Sequence, residues 1–299
     1  METIAIGLMV LSAVLHAAWN LLGKMQATPS LHFFIVATFF SSVILSPILV
    51  IFWHTLIQLS FLPLILLSGV FQVLYLAGLA KSYQTLDLSV AYPIIRALPV
   101  LLVPIASLVI GLFLGSSTHN EPQYQTEYQT TQWAAYGFIV IGTLFLLPKR
   151  ENIRANQIQF LLLSALSTTG YSITDHFIQR NWSAQSSASP FILGSLYIVL
   201  QGWATVLMGG IYIRILHKKT IDIRFNRPAI QAGLVISLSY FLVLCAMSFV
   251  ASAGDIVAFR QISIPIGFAF GIVVMGEKIN TQKIISIALI CAGLLMISL

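Results

Sequence analysis

Ten apolar stretches divide the chain, at about 3–22, 33–53, 61–80, 88–114, 131–147, 156–178, 190–215, 229–249, 255–275 and 280–298, with short polar breaks between them. A bilayer core about 30 Å thick needs roughly 20 apolar residues per helix. Runs such as "PVLLVPIASLVIGLFLG" are apolar on every face, so each stretch is read as a membrane-spanning helix. The ten-residue alternation of polar and apolar positions that marks an outer-membrane barrel is absent. The pattern predicts an all-α polytopic membrane protein with ten transmembrane helices.

Composition points the same way. Of 299 residues, 58% are hydrophobic and 8% charged, against about 25% charged in soluble domains, and the mean hydropathy is +0.92. The first charge is Glu2, and no basic region or small-residue cleavage site precedes the first stretch, which is therefore expected to stay as a permanent helix. Cys245 and Cys291 both fall inside spans and form no metal-ligand spacing, so they are read as small buried hydrophobes. No cofactor is implied.

Charge sets the expected orientation. The formal net charge is +6, but the basic residues form no single patch, which argues against nucleic-acid binding. Lys24, Lys81, Lys149, Arg150, Arg154, Arg214, Lys218, Lys219, Arg224, Arg227, Lys278 and Lys283 lie in or beside the odd-numbered connections, whereas Arg180 alone lies on the other side. Lys and Arg are retained in the cytoplasm, so both termini are predicted to be extracytoplasmic. The stretch "GSSTHNEPQYQTEYQTTQ" (115–132), with Glu121 and Glu127, then becomes an outer loop. "HKKTIDIRFNRP" (217–228) becomes a cytoplasmic loop facing lipid head groups.

The two halves echo one another. "LDLSVAYPIIRALPVLLVPIASLVIG" and "AGDIVAFRQISIPIGFAFGIVVMGE" each begin near an aspartate (Asp87, Asp255), carry one arginine (Arg96, Arg260) and follow it with a proline (Pro99, Pro265). "AAYGFIVIGTLFLL" matches "ISIALICAGLLMISL", and "HAAWNLLGK" matches "TTGYSITDH". With five helices per half, the second copy enters the membrane inverted, as in many secondary transporters whose substrate site lies between the repeats. The expected units are residues 1–147 and 156–299.

Arg96 and Arg260 are the remaining basic residues, and both fall within the membrane. Arg96 lies roughly 13 Å along its helix from Asp87, and Arg260 roughly 8 Å from Asp255. An intramembrane arginine faces a wet cavity or a partner. Its planar donor fork matches carboxylate or phosphate oxygens, which points to an anionic or zwitterionic substrate. The alternative is an ion pair with Asp175, the one carboxylate that falls within the sixth helix. Asp175 is also the candidate proton-sensitive group.

Other polar residues cluster by helical spacing. His16, Trp19 and Asn20 share one face of helix one, and Tyr171 and Asp175 form the corresponding face of helix six. Gln72 and Tyr75, Tyr92, Gln201, Tyr240 and Gln261 are further candidate hydrogen-bonding residues. Pro93, Pro99, Pro104 and Pro265 release backbone carbonyls that can bond water or substrate.

These features resemble the ten-helix EamA-type branch of the drug/metabolite transporter superfamily. The resemblance runs along the whole chain: "HAAWNLLGK", "SVAYPIIRALPVLLVPIASLVIG", "GYSITDH", and above all "IPIGFAFGIVVMGEKINTQKIISIALICAGLLMIS", where a proline precedes Gly276-Glu277-Lys278 and a glycine-containing final helix. The first half departs from the family's pattern, having no Gly-Glu after helix four. The resemblance implies a carrier of the plasma (inner) membrane that moves small metabolites by efflux or exchange, with a coupling proton as the candidate driving ion. The chain contains no nucleotide-binding P-loop. The contrasting reading, a membrane enzyme acting on a lipid or isoprenoid, would rest on His16 with Asn20 or Asp175 with His176, neither of which has a third partner in sequence.

Overall fold

A computed structural model of the chain describes residues 3–26, 28–55, 59–114, 130–147, 154–218, 220–247, 249 and 260–298. Among these the regular structure is helical, with no strand. The helices are α1 (Thr3–Lys24), α2 (Leu31–Leu45), α3 (Pro47–Ile51), α4 (Leu62–Thr85), α5 (Leu88–Leu114), α6 (Thr130–Leu146), α7 (Ala155–Gln185), α8 (Pro190–His217), α9 (Arg227–Met247), α10 (Ser263–Val273) and α11 (Thr281–Ser298).

Each apolar stretch holds a helix, and two departures have local causes. The second stretch breaks at Ser46, because Pro47 lacks an N–H and opens the five-residue α3. In the ninth, the described residues begin at Arg260, so Asp255 lies outside them, as do Glu121 and Glu127.

Six segments are long and apolar enough to cross a membrane: Gly7–Lys24, Leu31–Ile51, Leu62–Thr85, Leu88–Ser107, Pro190–Leu216 and Arg227–Met247. This is the pattern of a multi-pass membrane protein. α7 differs: its 31 residues reach about 46 Å, yet no window of it is apolar enough to count. Its polar side chains turn inward, and Ser164, Thr168, Ser172, Asp175, His176 and Gln179 are all buried. Two of its hydroxyls are satisfied by the helix itself: Thr168 donates to the Ser164 carbonyl at 2.9 Å and Thr169 to the Ala165 carbonyl at 3.0 Å.

The bundle is built from close helix pairs. α4 packs on α7 and α8, α9 on α1 and α2, α5 on α7 and α10, and α6 on α11. Small residues permit this approach, as they do between helices in membranes generally. At Gly78 of α4 a Cβ would stand 2.6 Å from Ser164 Oγ and 2.7 Å from the Phe160 carbonyl oxygen, so no larger residue fits against α7.

The chain connections meet on one face. Lys24, ending α1, donates to the carbonyls of Tyr83 (2.7 Å) and Leu86 (2.6 Å) at the end of α4. Glu277, before α11, accepts from the first backbone N–H groups of α5, Leu88 at 2.6 Å and Ser89 at 2.9 Å. A carboxylate there satisfies orphan donors and complements the helix dipole. Lys283 reaches Asp87 Oδ2 at 3.1 Å and Ser89 Oγ at 2.8 Å. Gln157, opening α7, donates to the Thr85 carbonyl at 3.2 Å.

Candidate functional site

Eight of the residues singled out in the sequence come together where α1, α2, α4, α7, α8 and α9 meet Arg260. A cavity of about 50 Å³ lies there, lined among others by His16, Trp19, Gln72, Tyr75, Tyr171, Gln201, Tyr240 and Arg260. A chain of aromatic rings surrounds it. His16 meets Trp19 edge-on at 5.0 Å between centroids, Trp19 meets Tyr75 at 6.4 Å, Tyr75 meets Tyr171 at 5.8 Å and Tyr171 meets Tyr240 at 5.8 Å. Such edge-to-face contacts hold large side chains in fixed positions.

Both arginines are buried, each with 3% of its surface exposed. Arg96 donates from Nη2 to the main-chain carbonyl of Arg260 at 2.7 Å and from Nε to Ser263 Oγ at 3.3 Å. The guanidinium carbon of Arg260 sits 5.4 Å from the centre of the Tyr240 ring, within cation–π range. Among the described residues the ion pairs are Arg224–Asp222 and Lys283–Asp87, so neither buried arginine has a carboxylate partner there.

Asp175 is fully buried and does not pair with either arginine. Its four contacts are neutral donors: Ser68 Oγ (2.5 Å) and Tyr197 OH (2.7 Å) on Oδ1, and Gln201 Nε2 (2.6 Å) and the Tyr240 hydroxyl on Oδ2. Of the two readings of the arginines, the alternative of an ion pair with Asp175 is absent from the structure. The packing of α7 leaves the carboxylate beside α4, α8 and α9, where four uncharged groups fill its acceptor sites.

Asn20 lies apart from the cavity lining, although it shares a helix face with His16. Its Nδ2 donates to the His16 carbonyl at 2.7 Å and its Oδ1 accepts from Tyr83 OH at 2.7 Å, joining α1 to α4. Tyr92 is buried beside His16, with ring centroids 6.1 Å apart, and Gln261 is buried next to Arg260; neither lines the cavity.

His16 itself presents a donor. Trp19 Nε1 donates to His16 Nδ1 at 3.3 Å, which makes Nδ1 the acceptor and assigns the proton of the neutral ring to Nε2. That buried Nε2 has no hydrogen-bond partner. No group of three or more His, Cys, Asp or Glu side chains is placed to hold a metal ion among the described residues.

Ser68 and Tyr197 were not anticipated from sequence. A signal existed: Ser68, Gln72 and Tyr75 recur at i, i+4 and i+7 on α4, and Tyr197 and Gln201 at i and i+4 on α8, which places each set on one face. Larger cavities, of about 530 and 730 Å³, open at the face where Lys24 lies, the first against Lys81 and Gln84 and the second against Arg224 and Arg227.

The fold has a solved counterpart. A protein known from a crystal structure aligns over 99% of this chain and 96% of its own length, with a TM-score of 0.63 and 13% sequence identity. At that identity the two share a fold and nothing finer. No family model and no curated protein matches the sequence.

Proposed function

We propose that the chain is a secondary transporter that moves a small anionic or zwitterionic metabolite across the membrane by alternating access around the central cavity. The observation that carries this reading is the pair of buried arginines that have no carboxylate partner among the described residues, Arg260 lining the cavity and Arg96 holding the Arg260 backbone. An arginine in a membrane interior is costly unless it faces water or a partner, and a bound anion supplies that partner. The unpartnered His16 Nε2 adds a neutral donor, and the ring of tyrosines and Trp19 offers an apolar, polarisable wall for the ligand's body.

The architecture we propose is ten spans in two inverted five-helix repeats, residues 1–147 and 156–299, of the EamA type. Helix packing supports it. If α1, α2, α4, α5 and α6 are exchanged for α7, α8, α9, α10 and α11, the contact of α4 with α7 becomes that of α9 with α1. Likewise α4 with α8 becomes α9 with α2, and α5 with α7 becomes α10 with α1. The pairs α2–α8, α5–α10 and α6–α11 map onto themselves. Orientation follows from the basic residues: Lys24, Lys81 and Lys283 belong to connections on one face, which the retention of Lys and Arg makes cytoplasmic. The membrane we propose is the plasma (inner) membrane.

Thermal stabilisation of the purified protein tests the substrate class. Amino acids, organic acids and phosphate esters are compared, with Arg96→Gln and Arg260→Gln alongside, because a ligand that binds only the folded state raises Tm. Stabilisation by acidic compounds that either substitution abolishes supports the reading. Stabilisation by cations or neutral compounds alone overturns it.

A further inference from the structure

Asp175 does not line the cavity, but Gln201 and Tyr240, which both donate to its Oδ2, do. Any ligand in the cavity therefore meets Asp175 through these two side chains. On the far side of the Tyr240 ring sits the Arg260 guanidinium. Tyr240 thus touches the carboxylate with its hydroxyl and the cation with its ring.

We propose that Asp175 takes up a proton together with an anionic ligand in the cavity, so that proton and anion cross in the same direction, with Tyr240 as the link between them. This rests on the reading of the cavity as an anion site.

The hydrogen bonds define what protonation does. With Asp175 ionised, Ser68, Tyr197, Gln201 and Tyr240 all donate to it, and no acceptor position is left over. A proton taken from water and bound to Oδ2 turns that oxygen into a donor. A hydroxyl must then accept it, and Tyr240 can, by rotating its own O–H away from the carboxylate. Gln201 Nε2 has no acceptor to offer. The released Tyr240 O–H points toward the cavity its ring lines. One proton has bound, one hydroxyl has turned, and no bond has broken.

Two consequences for the cavity agree in sign. It gains a hydrogen-bond donor, and the carboxylate that shares Tyr240 with Arg260 loses its negative charge. Both favour an anion. By reciprocity a bound anion raises the proton affinity of Asp175 to the same degree. Co-binding of this sign drives transport in one direction; exchange would require each ligand to weaken the other.

Asp175 is the one carboxylate among the described residues in this setting, and its protonated-carboxyl band separates its titration from that of the two histidines nearby. α4 brings Ser68 and Tyr75, α5 brings Tyr92 and Arg96, α8 brings Tyr197, and α9 brings Tyr240. Its own helix adds Tyr171 and His176, α1 adds His16, and Arg260 lies behind Tyr240. Among these, Asp175 is the only acid, and its direct partners are all uncharged.

The test uses the full-length protein in lipid membranes. Infrared difference spectra are recorded as pH is lowered, without ligand, for the wild type, Asp175→Asn and Tyr240→Phe. The binding of methanesulfonate, acetate and inorganic phosphate is measured over the same range. Methanesulfonate stays ionised throughout, so its own titration cannot imitate the effect.

A protonated-carboxyl band is expected in the wild type and in Tyr240→Phe, and absent in Asp175→Asn. Methanesulfonate affinity is expected to rise about 5- to 150-fold through the same transition, to be independent of pH in Asp175→Asn, and to respond more weakly in Tyr240→Phe. Absence of the band overturns the proton site whatever the ligand result. A band with affinity that falls or stays level on acidification overturns co-binding. A band without binding of any of the three anions overturns the anion reading, and co-binding falls with it. An undiminished response in Tyr240→Phe overturns its role as the link.

Discussion

The guanidinium of Arg96 holds the backbone from which Arg260 projects: its Nη2 donates to the Arg260 carbonyl oxygen at 2.7 Å. The same side chain reaches Ser263 Oγ at 3.3 Å, and Ser263 Oγ donates in turn to the Arg260 carbonyl at 2.8 Å. Two distant residues of opposite halves thus fix one stretch of chain at the cavity.

Arg96→Lys is expected to behave like Arg96→Gln, because an ammonium lacks the planar fork that serves Ser263 and the Arg260 carbonyl together. Ligand-induced thermal stabilisation should be lost in both variants, while both still insert into the membrane. Retained stabilisation in Arg96→Lys would show that charge alone is needed there.

Asn20→Ala separates positioning from binding. Asn20 is tied to Tyr83 and to the His16 carbonyl and does not line the cavity. Removing its amide leaves the buried Tyr83 hydroxyl unpaired, at a cost of about 1–3 kcal/mol. Thermal unfolding should occur at lower temperature, while the ligand-induced shift persists. A stable variant that has lost the shift would return Asn20 to the binding site.

Glu277 is expected to matter more for stability than its place in a surface turn suggests. It accepts two N–H groups at the start of α5, in the manner of a helix cap worth about 0.5–2 kcal/mol. Glu277→Ala should lower Tm by more than Glu277→Gln, which keeps one acceptor oxygen. Equal effects would mean that the charge carries the whole contribution.

Gly267 has no room for a methyl group. A Cβ there would run into the Tyr92 ring of α5, and overpacking of this kind costs about 1–3 kcal/mol. Gly267→Ala should destabilise the protein, and Tyr92→Leu in the same chain should recover part of the loss. Additive losses in this double-mutant cycle would place the clash elsewhere.

The sequence by itself determined the helices. Each apolar run holds a helix, and six of the described segments are long and apolar enough to cross a bilayer, because a helix satisfies its own backbone in lipid. It also marked Arg96, Arg260, His16, Trp19, Tyr75, Tyr171 and Tyr240, since polar groups are rare in such runs and helical spacing puts them on common faces. What it could not determine was who meets whom. Helical spacing did not distinguish an arginine from a tyrosine as the partner of Asp175. Only the packing of α7 between α4, α8 and α9 gave it Ser68, Tyr197, Gln201 and Tyr240 instead. Asn20, on the same face as His16, was turned to Tyr83 by the approach of α4 to α1. Periodicity fixes the direction of a side chain around its own axis; the neighbour it finds there depends on which helices lie against it, and that is settled by the close packing of the whole bundle.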